Sequence, residues 1–119
     1  MYIKRILSYD KEGLEADVLI SDGQQDLLCY AQPFDGDKNT KFQLTTFGCG
    51  DVVRSYDNQS LIKKSDEGYY SYEMSGKLLD AENAIVMVFG FIIGLDAYIP
   101  KDIRNGEYVD FKILRIDLL

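Results

Sequence analysis

Two cysteines, twenty carboxylates and nine tyrosines are the side chains with which this chain could do chemistry, and it contains no histidine. Without histidine there is no Ser-His-Asp or Cys-His nucleophile, no His-containing zinc site, and none of the side chain most used to move protons near neutrality. Cys49 lies in the glycine turn Phe47-Gly48-Cys49-Gly50-Asp51 with no base in view, so it reads as a small half-buried packing residue and not as a reactive thiolate. Asp35, Asp37 and Asn39 alternate as the first ligands of a calcium loop do. Thr40, however, stands where that loop needs glycine, and Thr46 where it needs a bidentate acid. No metal and no cofactor are expected, because the glycines take no phosphate-cradling spacing either.

The acids fall mainly in expected turns or on outward strand positions, where carboxylates keep ordinary pKa values and form no pair suited to glycoside hydrolysis. Asp17 and Asp110, inside expected strands, come nearest to exceptions. No catalytic residue is assigned, and the chain is not expected to be an enzyme. The tyrosines offer more. Tyr69-Tyr70-Ser71-Tyr72, followed by Glu73, is their densest cluster, and alternation sends Tyr70 and Tyr72 to one face and Tyr69 to the other. Tyrosine gives large rigid contact area with a polar tip, so Tyr69, Tyr70, Tyr72 and Glu73 are the candidate binding residues. The competing reading is a set of strand-favouring residues covering a sheet edge.

The elements that must position these residues are strands. Leu14, Ala16, Val18 and Ile20 alternate with a mainly polar set, Tyr2 to Tyr9 is also strand-like, and Asp10-Lys11-Glu12-Gly13 supplies a turn between them. Ser21-Asp22-Gly23-Gln24 leads to a third strand over Asp26 to Gln32, stopped by Pro33, and Lys41 to Phe47 predicts a fourth with Phe42 and Leu44 inward. From Gly48 to Gly68 the pattern weakens, and either one helical turn or short irregular strands fit it.

Tyr70, Tyr72, Met74, Gly76 and Leu78 then alternate toward the turn Asp80-Ala81-Glu82-Asn83. The apolar run Ala84 to Leu95 reads as one strand with Ile85, Met87, Phe89, Phe91, Ile93 and Leu95 on the thick core face, and Gly90 and Gly94 permitting bends. Its twelve residues fall short of the roughly 20 that a membrane-spanning helix needs. Pro100 to Gly106 predicts a short helical turn ended by glycine, and Tyr108 to Leu118 a last strand with Val109, Phe111 and Ile113 inward. Both halves contain a strand, an acidic turn and an apolar strand, with Glu15 matching Glu73 and Asp22 matching Asp80. Any two hairpins built by the same rules show that much.

The expected fold is mainly β: one globular domain over residues 1–119, a single antiparallel sheet curled into a small barrel or sandwich of about 7–8 strands, with one or two short helical turns. Gly76-Lys77-Leu78-Leu79-Asp80 opening a hairpin and Asp102-Ile103-Arg104-Asn105-Gly106-Glu107-Tyr108-Val109-Asp110-Phe111 closing the chain resemble small OB-like barrels over the last part of the sequence. That resemblance implies a strand face and adjoining loops able to bind oligonucleotides or oligosaccharides. The bases here, such as Lys63-Lys64 and Lys4-Arg5, are spread out and form no basic aromatic groove, so no binding residue is carried over.

A formal charge of -7 repels polyanions, which excludes duplex nucleic acid as an expected ligand. Two cysteines are too few for a disulfide framework and the opening MYIKRILSYD has no apolar signal region, so a reducing cytoplasm and no membrane are expected. Two functions follow as expectations. The first is a non-catalytic, acidic, tyrosine-bearing module docking on a basic partner protein, similar in composition to bacterial immunity proteins that neutralise toxic nucleases. The second is a small-ligand or single-strand nucleic-acid binder using a barrel mouth.

Overall fold

Alternation of apolar and polar side chains dominates this sequence, and the computed structural model, which describes residues 1–119, is accordingly built from strands. They are β1 (Tyr2–Asp10), β2 (Glu15–Ser21), β3 (Asp26–Ala31), β4 (Leu44–Phe47), β5 (Val53–Arg54) and β6 (Leu61–Lys64), then β7 (Tyr72–Asp80), β8 (Ile85–Val88), β9 (Phe91–Gly94), β10 (Tyr108–Ile113) and β11 (Arg115–Leu118). All eleven join one sheet in the order β1-β2-β3-β11-β4-β9-β8-β7-β10-β5, with β6 on β7 alongside β8. The β3–β11 and β4–β9 pairs are parallel and the others antiparallel, so the sheet is mixed.

Two meanders, β1-β2-β3 and β7-β8-β9, are built alike. Each first hairpin closes at an aspartate, Asp10 opposite Glu15 and Asp80 opposite Ile85, across a four-residue loop. Each loop ends on a residue with left-handed backbone, Leu14 (φ 53°) and Ala84 (φ 54°). In each, the carbonyl of that residue accepts an N–H from just past the third strand, Phe34 N to Leu14 O and Leu95 N to Ala84 O, both at 2.8 Å. The internal match therefore sets Asp10 against Asp80, not Glu15 against Glu73. Between the meanders lies the antiparallel pair β4–β11, and the two strands are exchanged: β4 follows the first meander but joins β9 of the second, while β11 ends the chain and joins β3 of the first.

One core of 25 buried residues fills the inside, contributed by both meanders. Ala16, Val18 and Ile20 of β2 and Val109, Phe111 and Ile113 of β10 enter it in strict alternation, as their sequences dictate. The sheet bends back around this core, but its two halves meet through side chains and not through a continuous ladder. The Tyr72 hydroxyl accepts the Leu28 N–H and Asp22 accepts the Gly90 N–H. The barrel is thus not closed, and extents of 45 × 27 × 25 Å are too elongated for a round one.

The strand count exceeds the expected one because two long runs are broken and residues 48–68 supply two short strands of their own, β5 and β6. Within Ala84 to Leu95, Phe89-Gly90 makes a tight turn, with Val88 facing Phe91 across the pair and Phe89 at φ 50°. Opposed residues share a face, so Val86 and Val88 are buried before the turn and Phe91 and Ile93 after it. Ile85, Met87 and Phe89 therefore lie outside the core. Likewise Tyr108 to Leu118 breaks at the exposed Leu114, and inward parity passes from Ile113 to Ile116 and Leu118.

No helical turn forms. Residues 48–68 hold the short strands β5 and β6, and the stretch Pro100 to Gly106 makes two reverse turns, closed by Ile103 N on Pro100 O and Glu107 N on Arg104 O. Long-range pairing decides this: Gly106 N and Glu107 O bond to the backbone of Leu78, and the Asn105 side chain accepts the Ala81 N–H. The structure contains no helix long and apolar enough to cross a membrane.

Candidate functional site

Cross-strand register places a row of four side chains on the outer face of β5, β10, β7 and β6. Val53 is opposite Asp110, Asp110 opposite Ser75, and Ser75 opposite Leu61. The adjoining row is Lys112, Glu73 and Lys63. Beneath them Met74 and Phe111, opposite one another and of the other parity, are core residues. With Gly50-Asp51 as one wall and Asp57 on another, these residues, Lys63 excepted, line a groove of about 480 Å³. That volume suits a side chain or a small molecule.

The groove's polar groups are not equivalent. Glu73 lies between two ammonium groups, Lys112 at 3.3 Å and Lys63 at 3.8 Å. Asp110 accepts the Ser75 hydroxyl, and none of the chain's ion pairs uses Asp51, Asp57 or Asp110. The guanidinium of the neighbouring Arg54 is held by Glu107 at 3.0 Å and Asp102 at 3.5 Å. Two flanks of the groove are apolar and exposed, Val53 and Leu61.

Its wall is pinned by Asp96, whose carboxylate accepts the Thr46 hydroxyl and the N–H groups of Gly48 (2.9 Å) and Cys49 (3.0 Å). Partial burial works to raise the Asp96 pKa, but these donors outweigh it and the net shift is downward. Gly50 N then bonds to Lys112 O at 2.9 Å, fixing the wall against β10. A second hollow, between this wall and Ala97, Tyr98 and Pro100, continues the face. Tyr98 is 97% exposed and Tyr56, next to Asp57, 84%.

The four residues singled out from the sequence do not share one surface. Glu73 lines the groove. Tyr72 is 6% exposed, with its ring in the core and its hydroxyl on Leu28 N. Tyr69 and Tyr70 precede β7 in a turn, so strand alternation does not govern them, and their rings meet edge to face at 4.8 Å. Tyr70 also meets Tyr30 at 6.0 Å and donates to Asp17. Burial, then the Asp17 carboxylate, raises the Tyr70 pKa and keeps the phenol a donor. Arg115 covers the Tyr30 ring at 4.6 Å and pairs with Asp117. Tyr69 is 61% exposed above this cluster.

The remaining candidates have local duties. Asp35 and Asp37 accept N–H groups of their own loop, Asp37 N and Asn39 N. The Cys49 thiol is pushed up to about 11 by burial and then by Asp96, and Cys29, deeply buried, is also raised. Asp110 was legible as a strand acid, whereas Val53 and Leu61 lie in strands too short to leave a period in the sequence. Comparison with protein-family models, curated proteins and solved structures finds no match.

Proposed function

We propose that this chain is a non-catalytic binding module that docks on a basic partner protein through the face carrying the groove. The observation that carries this reading is the coincidence of exposed anchors, Tyr98, Val53 and Leu61, with carboxylates of Asp51, Asp57 and Asp110 that have no cation of their own. Exposed aromatic and aliphatic side chains supply the contact area of interfaces, and an uncompensated acidic rim steers a basic partner and fixes its register. The net charge of -7 extends the same field over the whole surface. The small-ligand and single-strand reading drew on the mouth of a closed barrel, and the open sheet gives it no particular support.

The test compares immobilised chain with a variant carrying Leu61→Lys and Asp57→Lys, both exposed positions, after circular dichroism confirms that both fold. Wild type is expected to retain from its source lysate a set of proteins more basic than the lysate average, released by salt, and the variant to lose that set. Captured proteins no more basic than average, or an identical set on the variant, would overturn the reading.

A further inference from the structure

We infer that the groove over β5, β10, β7 and β6 is a receptor for a single arginine side chain presented by the partner, an assignment that rests on the docking reading above. The groove is lined at two flanks by Val53 and Leu61, which offer apolar surface to the methylene stem of a long side chain. Asp110 lies in the row between them, and Asp51 and Asp57 flank it from the loops. Several carboxylate acceptors around one groove match a planar guanidinium with five donors better than a compact ammonium, and guanidinium is the more weakly hydrated of the two.

The chain's own cations leave this place open. Lys112 and Lys63 are drawn to Glu73, and Arg54, although it belongs to β5, is engaged by Glu107 and Asp102. The Lys-Glu-Lys row carries one net positive charge, so the negative charge of the groove lies at the Asp51, Asp57 and Asp110 carboxylates. The buried Ser75 hydroxyl is spent on Asp110 and orients that carboxylate. The Asp96 staple and the Gly50–Lys112 backbone bond hold the Asp51 wall in place without a ligand, so little ordering cost is left for binding.

The probe is N-acetyl-arginine methylamide, titrated into the isotope-labelled full chain and followed by amide chemical shifts. Its isosteric citrulline counterpart and its lysine counterpart serve as comparisons. Saturable shifts are expected at Val53, Leu61, Ser75 and Asp110, with a Kd in the range of about 1–10 mM for so small a fragment. The citrulline compound should bind about tenfold or more weakly, the lysine compound several-fold more weakly, and the Asp51→Asn, Asp57→Asn double variant should lose most of the arginine affinity. Both substituted positions are exposed, and circular dichroism checks that the double variant folds.

Equal shifts from arginine and citrulline, shifts elsewhere only, or no shifts would overturn the inference, and equal affinity for lysine would overturn the choice of arginine. The two readings fail separately. Arginine bound by a chain that captures no basic protein removes the docking module and leaves the receptor. A captured basic protein whose binding ignores the double variant removes the receptor and leaves the module.

Discussion

The hydroxyl oxygen of Tyr72 accepts the backbone N–H of Leu28 at 2.8 Å, joining β7 to β3 although β11, β4, β9 and β8 stand between them in the sheet. This bond does at one point what a ladder would do in a closed barrel. A phenylalanine keeps the ring in the core and leaves the Leu28 N–H without a partner, which costs about 1–2 kcal/mol. Tyr72→Phe is therefore expected to lower the urea midpoint with an unchanged slope and to speed exchange of the Leu28 amide. An unaltered midpoint and amide would show the seam to be held by packing alone.

Acid should loosen the groove wall. Asp96 has a folded pKa below its unfolded value of about 3.9, so its contribution is present above that value and is lost as pH falls through the lower folded one. Asp96→Asn keeps an acceptor but removes the charge, and should flatten the acid limb of a stability profile taken from pH 7 down to about pH 3. At neutral pH, Asp96→Ala should cost about 1 kcal/mol, since the carboxylate is exposed and partly screened. A profile for Asp96→Asn that parallels wild type would remove Asp96 from the account.

How much of this was legible follows from which constraints are local. Ala16, Val18 and Ile20, or Val109, Phe111 and Ile113, announce their burial because period-two alternation is written in consecutive residues. The Phe89-Gly90 turn is not so written: phenylalanine at positive φ is held there by Ser60 and Asp22, both distant in sequence. Strands β5 and β6 are too short for a period and exist because β10 and β7 offer edges to them. The tyrosine cluster shows the limit most sharply. Adjacent strand residues face opposite sides, so Tyr72 went to the core and Glu73 to the groove, while Tyr69 and Tyr70, outside the strand, joined Tyr30 across the seam.

The left-handed residue closing the first hairpin loop offers a stabilising substitution. Leu14 has φ 53° and is exposed, so its side chain gains little from burial while its Cβ crowds the backbone. Leu14→Gly should raise stability by about 0.5–1 kcal/mol, net of the extra freedom glycine has when unfolded. A fall in the thermal midpoint would mean that Leu14 packs in a way its exposure does not suggest.

Close approach of backbones fixes another position in the opposite sense. A Cβ added at Gly76 would come within 2.7 Å of the Met87 carbonyl oxygen and of Val88 Cγ2, where β7 meets β8. Backbone cannot yield as a flexible side chain would, so Gly76→Ala should destabilise by about 1–3 kcal/mol. Gly50→Ala, where the nearest such atom is Lys112 O at 3.9 Å, should have little effect and serves as the control. Equal denaturation midpoints for the two variants would contradict the strand packing described.

The thiol in the groove wall should behave as a packing group. Burial, then the Asp96 charge, pushes Cys49 up to about 11, so at neutral pH almost none of it is thiolate, the form that reacts. Alkylation by iodoacetamide should be slow at pH 7 and rise about tenfold per pH unit toward pH 10, following the thiolate fraction. Asp96→Asn removes the charge and loosens the wall, so it should accelerate the reaction at a given pH. Rapid, pH-independent labelling of Cys49 in the folded wild-type chain would show an activated thiol, and with it a chemistry that the absence of histidine argues against.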